Sequence, residues 1–331
     1  MTNFIISLFY PLFTCILIIL SKKIGFVDFP RKKKIHKIAT PNTLGLSIFL
    51  YLFVTTILNE FSYEIENVLA LSVLVVIIGF FDDRFDISPG VKIFFISLPV
   101  LYLLFNGFII NDLGKYEYIG TIYLNKFSFV FLYLGAMLLI NSFNYIDGID
   151  GLNLSIAITS ISFFIFLSDS ADGYIFILKY IVYALFIGLI FNLLPNKTTL
   201  KCFIGNSGSF LVGFLISFIM IFLYKEKSIH PSILIWSCWL PVYDFLFVTI
   251  KRLIKNKNIT KSDYEHLHYK IFFKYKKNSL TTLFILNLLN IAVIVCGYLI
   301  FTYIGKIYSL FTFILLFFIF YYFVNNLKIV K

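Results

Sequence analysis

A 331-residue chain with 60% hydrophobic and 14% charged side chains falls well short of the roughly 25% charge of a soluble domain. It reads as an integral membrane protein, and a soluble enzyme is excluded. The net charge of +11 would suit nucleic acid only if it lay on one exposed surface, and it does not.

Helices that cross a bilayer are runs of about 17–25 mostly apolar residues, and such runs fall roughly at 3–20, 42–58, 66–81, 93–110, 127–143, 152–168, 174–194, 208–224, 230–250, 281–301 and 305–325. The expectation is therefore an all-α, polytopic fold of about eleven transmembrane helices, one multi-span domain over residues 1–331. The first run lacks a basic leader and a small-residue cleavage site, so it reads as a span and not a cleavable signal. With the N-terminus outside, alternate loops and the C-terminal tail collect 22 of the 28 Lys and Arg residues. That asymmetry is the positive-inside pattern, so the basic excess is topology and no nucleic acid is expected. The four cysteines, Cys15, Cys202, Cys238 and Cys296, are scattered without a CxxC pair and form neither a disulfide framework nor a zinc site.

Under this topology the polar clusters share the cytoplasmic side. DFPRKKKIHK at 28–37 is a basic run that also suits anchoring at an anionic leaflet. In GFFDDRFDISPG the carboxyls of Asp82, Asp83 and Asp86 lie just beyond an apolar helix. Adjacent acids repel unless a proton or a cation intervenes, and Mg²⁺ takes one or two carboxylates together with substrate phosphates. The plain alternative is a polar helix end offset by Arg84.

NSFNYIDGIDGL at 141–152 ends an uncharged run. Asn141, Asn144, Asp147 and Asp150 recur every third residue, and on a helix or helical turn that spacing puts them on one face. The alternative is an interhelical hydrogen-bond network. KCFIGNSGSFLVGF at 201–214 opens a helix with Gly205, Ser207, Gly208 and Ser209, whose amides suit an anion; an ordinary N-cap explains it equally. In SDYEHLHYKIFFKYKK at 262–277, His266 and His268 stand among lysines as an anion-binding arm. A transition metal at HxH is the lesser reading, without cysteine nearby.

Six motifs in this order resemble the polyprenyl-phosphate N-acetylhexosamine-1-phosphate transferases, the WecA/TagO/MraY superfamily. The resemblance covers about residues 25–270 and leaves two further C-terminal spans at about 281–325. DFPRKKKIHKIATPNTLG is similar to DxPxxRKxH…PxxGG, GFFDDRFDI to GxxDD, and NSFNYIDGIDGL to NxxNxxDGxDGL. FNLLP with KCFIGNSGSFLVGF is similar to N…P…KIFxGDxGS, WLPVYDFLFVTIKRL to PxxD…R, and EHLHYKI to HIHHRL. Asn206 stands where the family has Asp, Tyr269 replaces the last His, Leu44 one Gly, and Lys33 an Arg; NKTT is extra. The HxH form places the chain nearer the WecA branch.

The resemblance implies transfer of a sugar 1-phosphate, N-acetylglucosamine by default, from a UDP-amino sugar to undecaprenyl phosphate, with UMP released and a lipid-linked surface polysaccharide begun. It implies Mg²⁺ (or Mn²⁺) held by Asp83, Asn206 and Asp147. Asp82 would prepare the lipid phosphate as base, assisted by Asp83. Asn144, Asp147 and Asp150 would line the nucleotide pocket, with Asp150 and Phe203 at the uracil. His266 and His268 would hold the diphosphate or sugar, His266 with a catalytic part. Lys34, His36 and Lys201 would be phosphate contacts. A bacterial inner-membrane location with the site and C-terminus cytoplasmic, and a homodimer, are further implications. Two other readings stay open: an intramembrane prenyltransferase using Asp82, Asp83 and Asp86 as DDxxD, and a metal-poor relative that only binds lipid phosphate.

Overall fold

The structure is a computed structural model that describes residues 2–30, 38–169, 172–258 and 264–327. Lys34 and His36 lie outside the described residues. In chain order the described elements are α1 (Thr2–Lys23), β1 (Val27–Asp28), β2 (Thr40–Pro41), α2 (Leu44–Ile57), α3 (Tyr63–Phe85) and α4 (Pro89–Phe105). Then come β3 (Asp112–Tyr116), β4 (Gly120–Tyr123), α5 (Ser128–Ile146), α6 (Leu152–Leu167), α7 (Ile175–Leu193) and α8 (Gly205–Lys227). The chain continues with α9 (Pro231–Leu234), α10 (Trp239–Ile254), α11 (Leu267–Lys274), α12 (Ser279–Leu299) and α13 (Lys306–Asn326).

The protein is an α-helical, multi-pass membrane protein. Among the described residues eight helices are long and apolar enough to cross a bilayer, and three shorter apolar helices, α2, α4 and α6, accompany them. Together they occupy the positions of the eleven expected runs. The 14 residues of α2 cover about 21 Å at helical rise, less than the roughly 30 Å of a hydrocarbon core. The outer surface carries large apolar side chains such as Phe81, Phe94, Leu134, Phe311 and Tyr322, as a lipid-facing surface requires.

At the centre stands α8, whose apolar residues are buried all round: Phe210, Leu211, Phe214, Ile216 and Phe218 are each at most 1% exposed. A helix apolar on every side belongs inside a bundle. Its neighbours α2 and α3 approach through Gly45 and Gly79, where an added Cβ would collide with the backbone of Gly208 and Ser207. Small residues are what let helix backbones come this close in a membrane.

The helices alternate in direction, so the ends of α1, α3, α5 and α7 meet the starts of α2, α4, α6 and α8 at one end. Hydrogen bonds from Leu44 N to Phe203 O (3.3 Å) and from Phe203 N to Pro41 O (2.8 Å) tie that end together. The β1–β2 pair folds over it, setting Asp28 opposite Thr40. The opposite end carries the β3–β4 hairpin, which hydropathy did not reveal. There the Glu117 carboxylate accepts from Lys306 N (3.1 Å) and Ile307 N (2.9 Å), covering the start of α13. Lys270 Nζ donates to Val324 O in the last turn of α13 (2.6 Å), a cation at the negative end of a helix.

Candidate active site

The acidic stretch at the end of α3 does not present one face. Asp86 ends the helix in a left-handed conformation (φ 55°), and Pro89 restarts the chain as α4. Asp82, 4% exposed, pairs with Lys92 Nζ (2.5 Å), accepts from Ile87 N (3.0 Å) and from Asn206 Nδ2 (2.7 Å). Asp83 turns the other way and accepts from Asn206 N (2.9 Å) and, weakly, from Ser207 N (3.4 Å). The free amides opening α8, expected to hold a ligand anion, are thus met by a carboxylate of the chain itself. Helix starts favour negative charge whatever its source.

The second motif breaks after its first turn. Asn141 Nδ2 bonds back to Met137 O (2.7 Å) and does not join the others. Asn144 Nδ2 donates to Asn206 Oδ1 (2.8 Å) and Ser209 Oγ (2.9 Å). The helix then ends at Ile146, Asp147 caps it, and Gly151 in the left-handed region (φ 79°) starts α6. Gly151 N is held by Asn192 Oδ1 (2.5 Å). Asp150 is held by Lys201 Nζ (2.7 Å), which also donates to Asn192 O and Leu194 O, both at 3.1 Å. Lys201, expected as a phosphate contact, is 4% exposed and spends its three protons on these acceptors. Burial, reinforced by Asp83 and Asp150, raises the Asp147 carboxyl well above the usual carboxylate range.

These elements enclose a cleft of about 290 Å³ lined by Asp28, Asn42, Asp83, Asp147, Gly148, Ile149, Asp150, Asn192, Asn196, Phe203, Gly205, Asn206, Tyr269 and Ser279. The expected residues Asp83, Asp147, Asp150, Phe203 and Asn206 are therefore brought together. Asp82 lies behind Asn206, out of the lining, because Lys92 draws it away. His266 and His268 are also outside the lining. Both are buried, with Nδ1 at 3.0 Å and 3.3 Å from Asp244 Oδ2, and it is Tyr269 that reaches the cleft. Asn42, Asn192 and Tyr269 went unremarked as site residues. Lone amides and a tyrosine carry no pattern of their own, though all three lie within quoted motif segments, Tyr269 in place of a His.

Gly148 shows how tightly the arm seats on the loop. A Cβ there would stand 2.5 Å from His268 Nε2 and 2.6 Å from Tyr269 Oη. Gly148→Ala should cost about 1–3 kcal/mol of stability through overpacking, read as a lowered thermal midpoint in detergent. An unchanged midpoint would mean that the arm does not rest on the loop.

A sequence profile of glycosyl transferase family 4 matches residues 66–224, the segment that supplies Asp83, Asp147, Asp150, Phe203 and Asn206. Three relatives extend the similarity. A probable undecaprenyl-phosphate N-acetylglucosaminyl 1-phosphate transferase of Bacillus subtilis is 27% identical over 75% of this chain and 70% of its own length. The undecaprenyl-phosphate alpha-N-acetylglucosaminyl 1-phosphate transferase of Escherichia coli O157:H7 is 28% identical over 80% and 74%. Its Thermotoga maritima counterpart is 28% identical over 88% and 92%. Over residues 66–224 the chain is similar to glycosyl transferase family 4. The three acids of the DDxxD reading point apart: Asp82 to Lys92, Asp83 into the cleft, Asp86 to the exposed turn. That divergence disfavours a prenyltransferase.

Proposed function

We propose that this chain transfers an N-acetylhexosamine 1-phosphate, by default N-acetylglucosamine 1-phosphate, from its UDP-sugar to undecaprenyl phosphate and releases UMP. One observation carries the reading. Asp83 and Asp147 line a single cleft with no Lys or Arg among its described lining residues, and Asp28 and Asp150, the latter paired with Lys201, line it too. Such a cleft suits an anionic diphosphate only as a cation complex. The relatives of this chain are named for that transfer, and the cleft sits at the end of the bundle where the basic loops gather, which we take as the cytoplasmic side.

The donor set fits a hard divalent cation, all of it oxygen. Asn42 Oδ1 is buried without a partner, while its Nδ2 donates to Asp83 Oδ1 (3.4 Å). Asp83 and Asp147 would hold the ion, with Asn42 Oδ1 and the second lone pair of Asn206 Oδ1 as neutral donors. When bound, Mg²⁺, or Mn²⁺ in its place, would supply charge neutralisation for the diphosphate. Asn206 is oriented by Asp82 and Asn144, which fixes its carbonyl oxygen on the Asn144 side. Phe203 offers its ring to the uracil, and the Lys201 pin keeps Asp150 beside it. The lipid phosphate oxygen forms the new bond to the β-phosphorus, and the bond from that phosphorus to the bridging oxygen breaks as UMP leaves. No proton need cross, so the carboxylates act by position and charge.

The test is UMP release by the purified full chain in detergent with undecaprenyl phosphate, UDP-N-acetylglucosamine and Mg²⁺. Release that needs both lipid and cation supports the reading. Pyrophosphate release from a prenyl diphosphate, with UDP-sugars ignored, would transfer the chain to the prenyltransferases. A second prediction concerns Asn42. Asn42→Ala should weaken Mn²⁺ binding about tenfold, as loss of a supporting ligand does, read directly as free Mn²⁺ by electron paramagnetic resonance. Unchanged affinity would remove Asn42 from the donor set.

A further inference from the structure

The cluster that the proposed chemistry leaves unused lies behind the cleft. Asp244, His266 and His268 are 2%, 5% and 1% exposed. Asp244 comes from α10, the two histidines from the start of α11, so helix packing alone brings them together. Asp244 Oδ1 accepts from Leu267 N (2.8 Å), and Oδ2 faces both Nδ1 atoms. The imidazoles lie nearly parallel, centroids 5.3 Å apart and planes at 26°. A buried charge persists only when paired and hydrogen-bonded, and here the Leu267 N–H and two imidazole Nδ1 atoms meet one carboxylate.

An imidazole that faces a carboxylate through Nδ1 carries its proton there and leaves Nε2 bare. His268 Nε2 is buried without a partner, and it is the atom against which Gly148 packs. Burial also lowers the His268 pKa, which keeps the ring neutral and the tautomer defined. Gly148 lies between Asp147 and Asp150 in the loop that lines the cleft. The ring edge thus sets where that loop stands.

We propose that Asp244 is a positioning residue: it locks His266 and His268 as Nδ1–H tautomers, so that the bare Nε2 of His268 seats the Asp147–Asp150 loop of the cleft. With the other tautomer an N–H would point at Gly148, where the structure provides no acceptor, and the loop would be pushed from its place. Asp244 touches no substrate and acts through the two rings. The inference rests on the transferase reading only for what the loop binds; the tautomers are a property of the folded chain.

The experiment is ¹⁵N-histidine NMR of the full chain in detergent. The chain has four histidines, so His→Gln variants assign each signal. The expected spectrum shows protonated Nδ1 and unprotonated Nε2 at positions 266 and 268. Asp244→Asn, which keeps an oxygen for Leu267 N but offers an N–H to the rings, should move them to the Nε2–H form. With activity in hand, Asp244→Asn should raise the KM for the UDP-sugar about tenfold, and its effect should not add to that of His268→Gln. An Nε2–H tautomer in the unaltered protein overturns the proposal, with no variant needed. So does a ring signal that changes on adding a chelator, which would make the trio a transition-metal site. Additive KM effects overturn it as well. A normal tautomer pattern in a chain that releases no UMP would instead sink the transferase reading alone.

Discussion

Asp83→Asn should slow UMP release by about 10²–10³-fold, the loss typical of one electrostatic stabiliser, while the protein stays folded. The amide still offers an oxygen to Asn206 N, so the start of α8 keeps its acceptor. What is lost is one charge in the cleft. Asp82→Asn should behave in the opposite way. It removes the buried partner of Lys92 and sets an amide against the Asn206 Nδ2 donor, which should cost about 2–3 kcal/mol, read as a lowered midpoint of unfolding. Its folded fraction should retain most of its turnover. A well-folded Asp82→Asn protein with turnover as low as that of Asp83→Asn would return the chemistry to Asp82.

The second large effect belongs to Asn206→Asp. In the present structure Nδ2 of Asn206 lies 2.7 Å from Asp82 Oδ2 as a donor. A carboxylate there would face Asp82 across the same gap, with Asp83 bound to its own backbone N. Like charges this close destabilise the site unless a proton or a cation joins them. The variant should therefore melt earlier than the parent without divalent cation and gain more than the parent when Mg²⁺ is added, since a ligand that binds only the folded state stabilises by mass action. The control is the same titration on Asn42→Ala. An equal Mg²⁺ response in the Asn206→Asp protein and its parent would show that residue 206 does not face the ion.

Much of the fold was legible because hydrophobic runs report on the bilayer directly. The eleven expected positions reappear as apolar helices, and the motif order pointed to one shared end. Side-chain direction was less legible. Asp82 and Asp83 are neighbours in an acidic pair, yet successive residues on a helix point about 100° apart, and Lys92 on the next helix decides which one is drawn away from the cleft. Asn141 fits the three-residue spacing of its motif but satisfies itself on Met137 O. Lys201 reads as a free cation until Asp150 and two carbonyls are seen around it. The histidines read as an anion-binding arm because nothing in HLH announces that a buried Asp244, some twenty residues earlier, awaits them. Such partners are set by tertiary packing, which no local spacing encodes.

The bond from Lys270 to Val324 O has a consequence for how the chain is made. Lys270 is 3% exposed, and its acceptor is synthesised 54 residues later. Chains fold largely in order as they emerge, so while α11 leaves the ribosome its lysine has no carbonyl to meet. The segment that carries His266, His268 and Tyr269 gains this anchor only once the last helix has been inserted. A chain stopped short of α13 would carry every cleft carboxylate and the Asp244 contacts of the arm, yet leave Lys270 without its carbonyl acceptor.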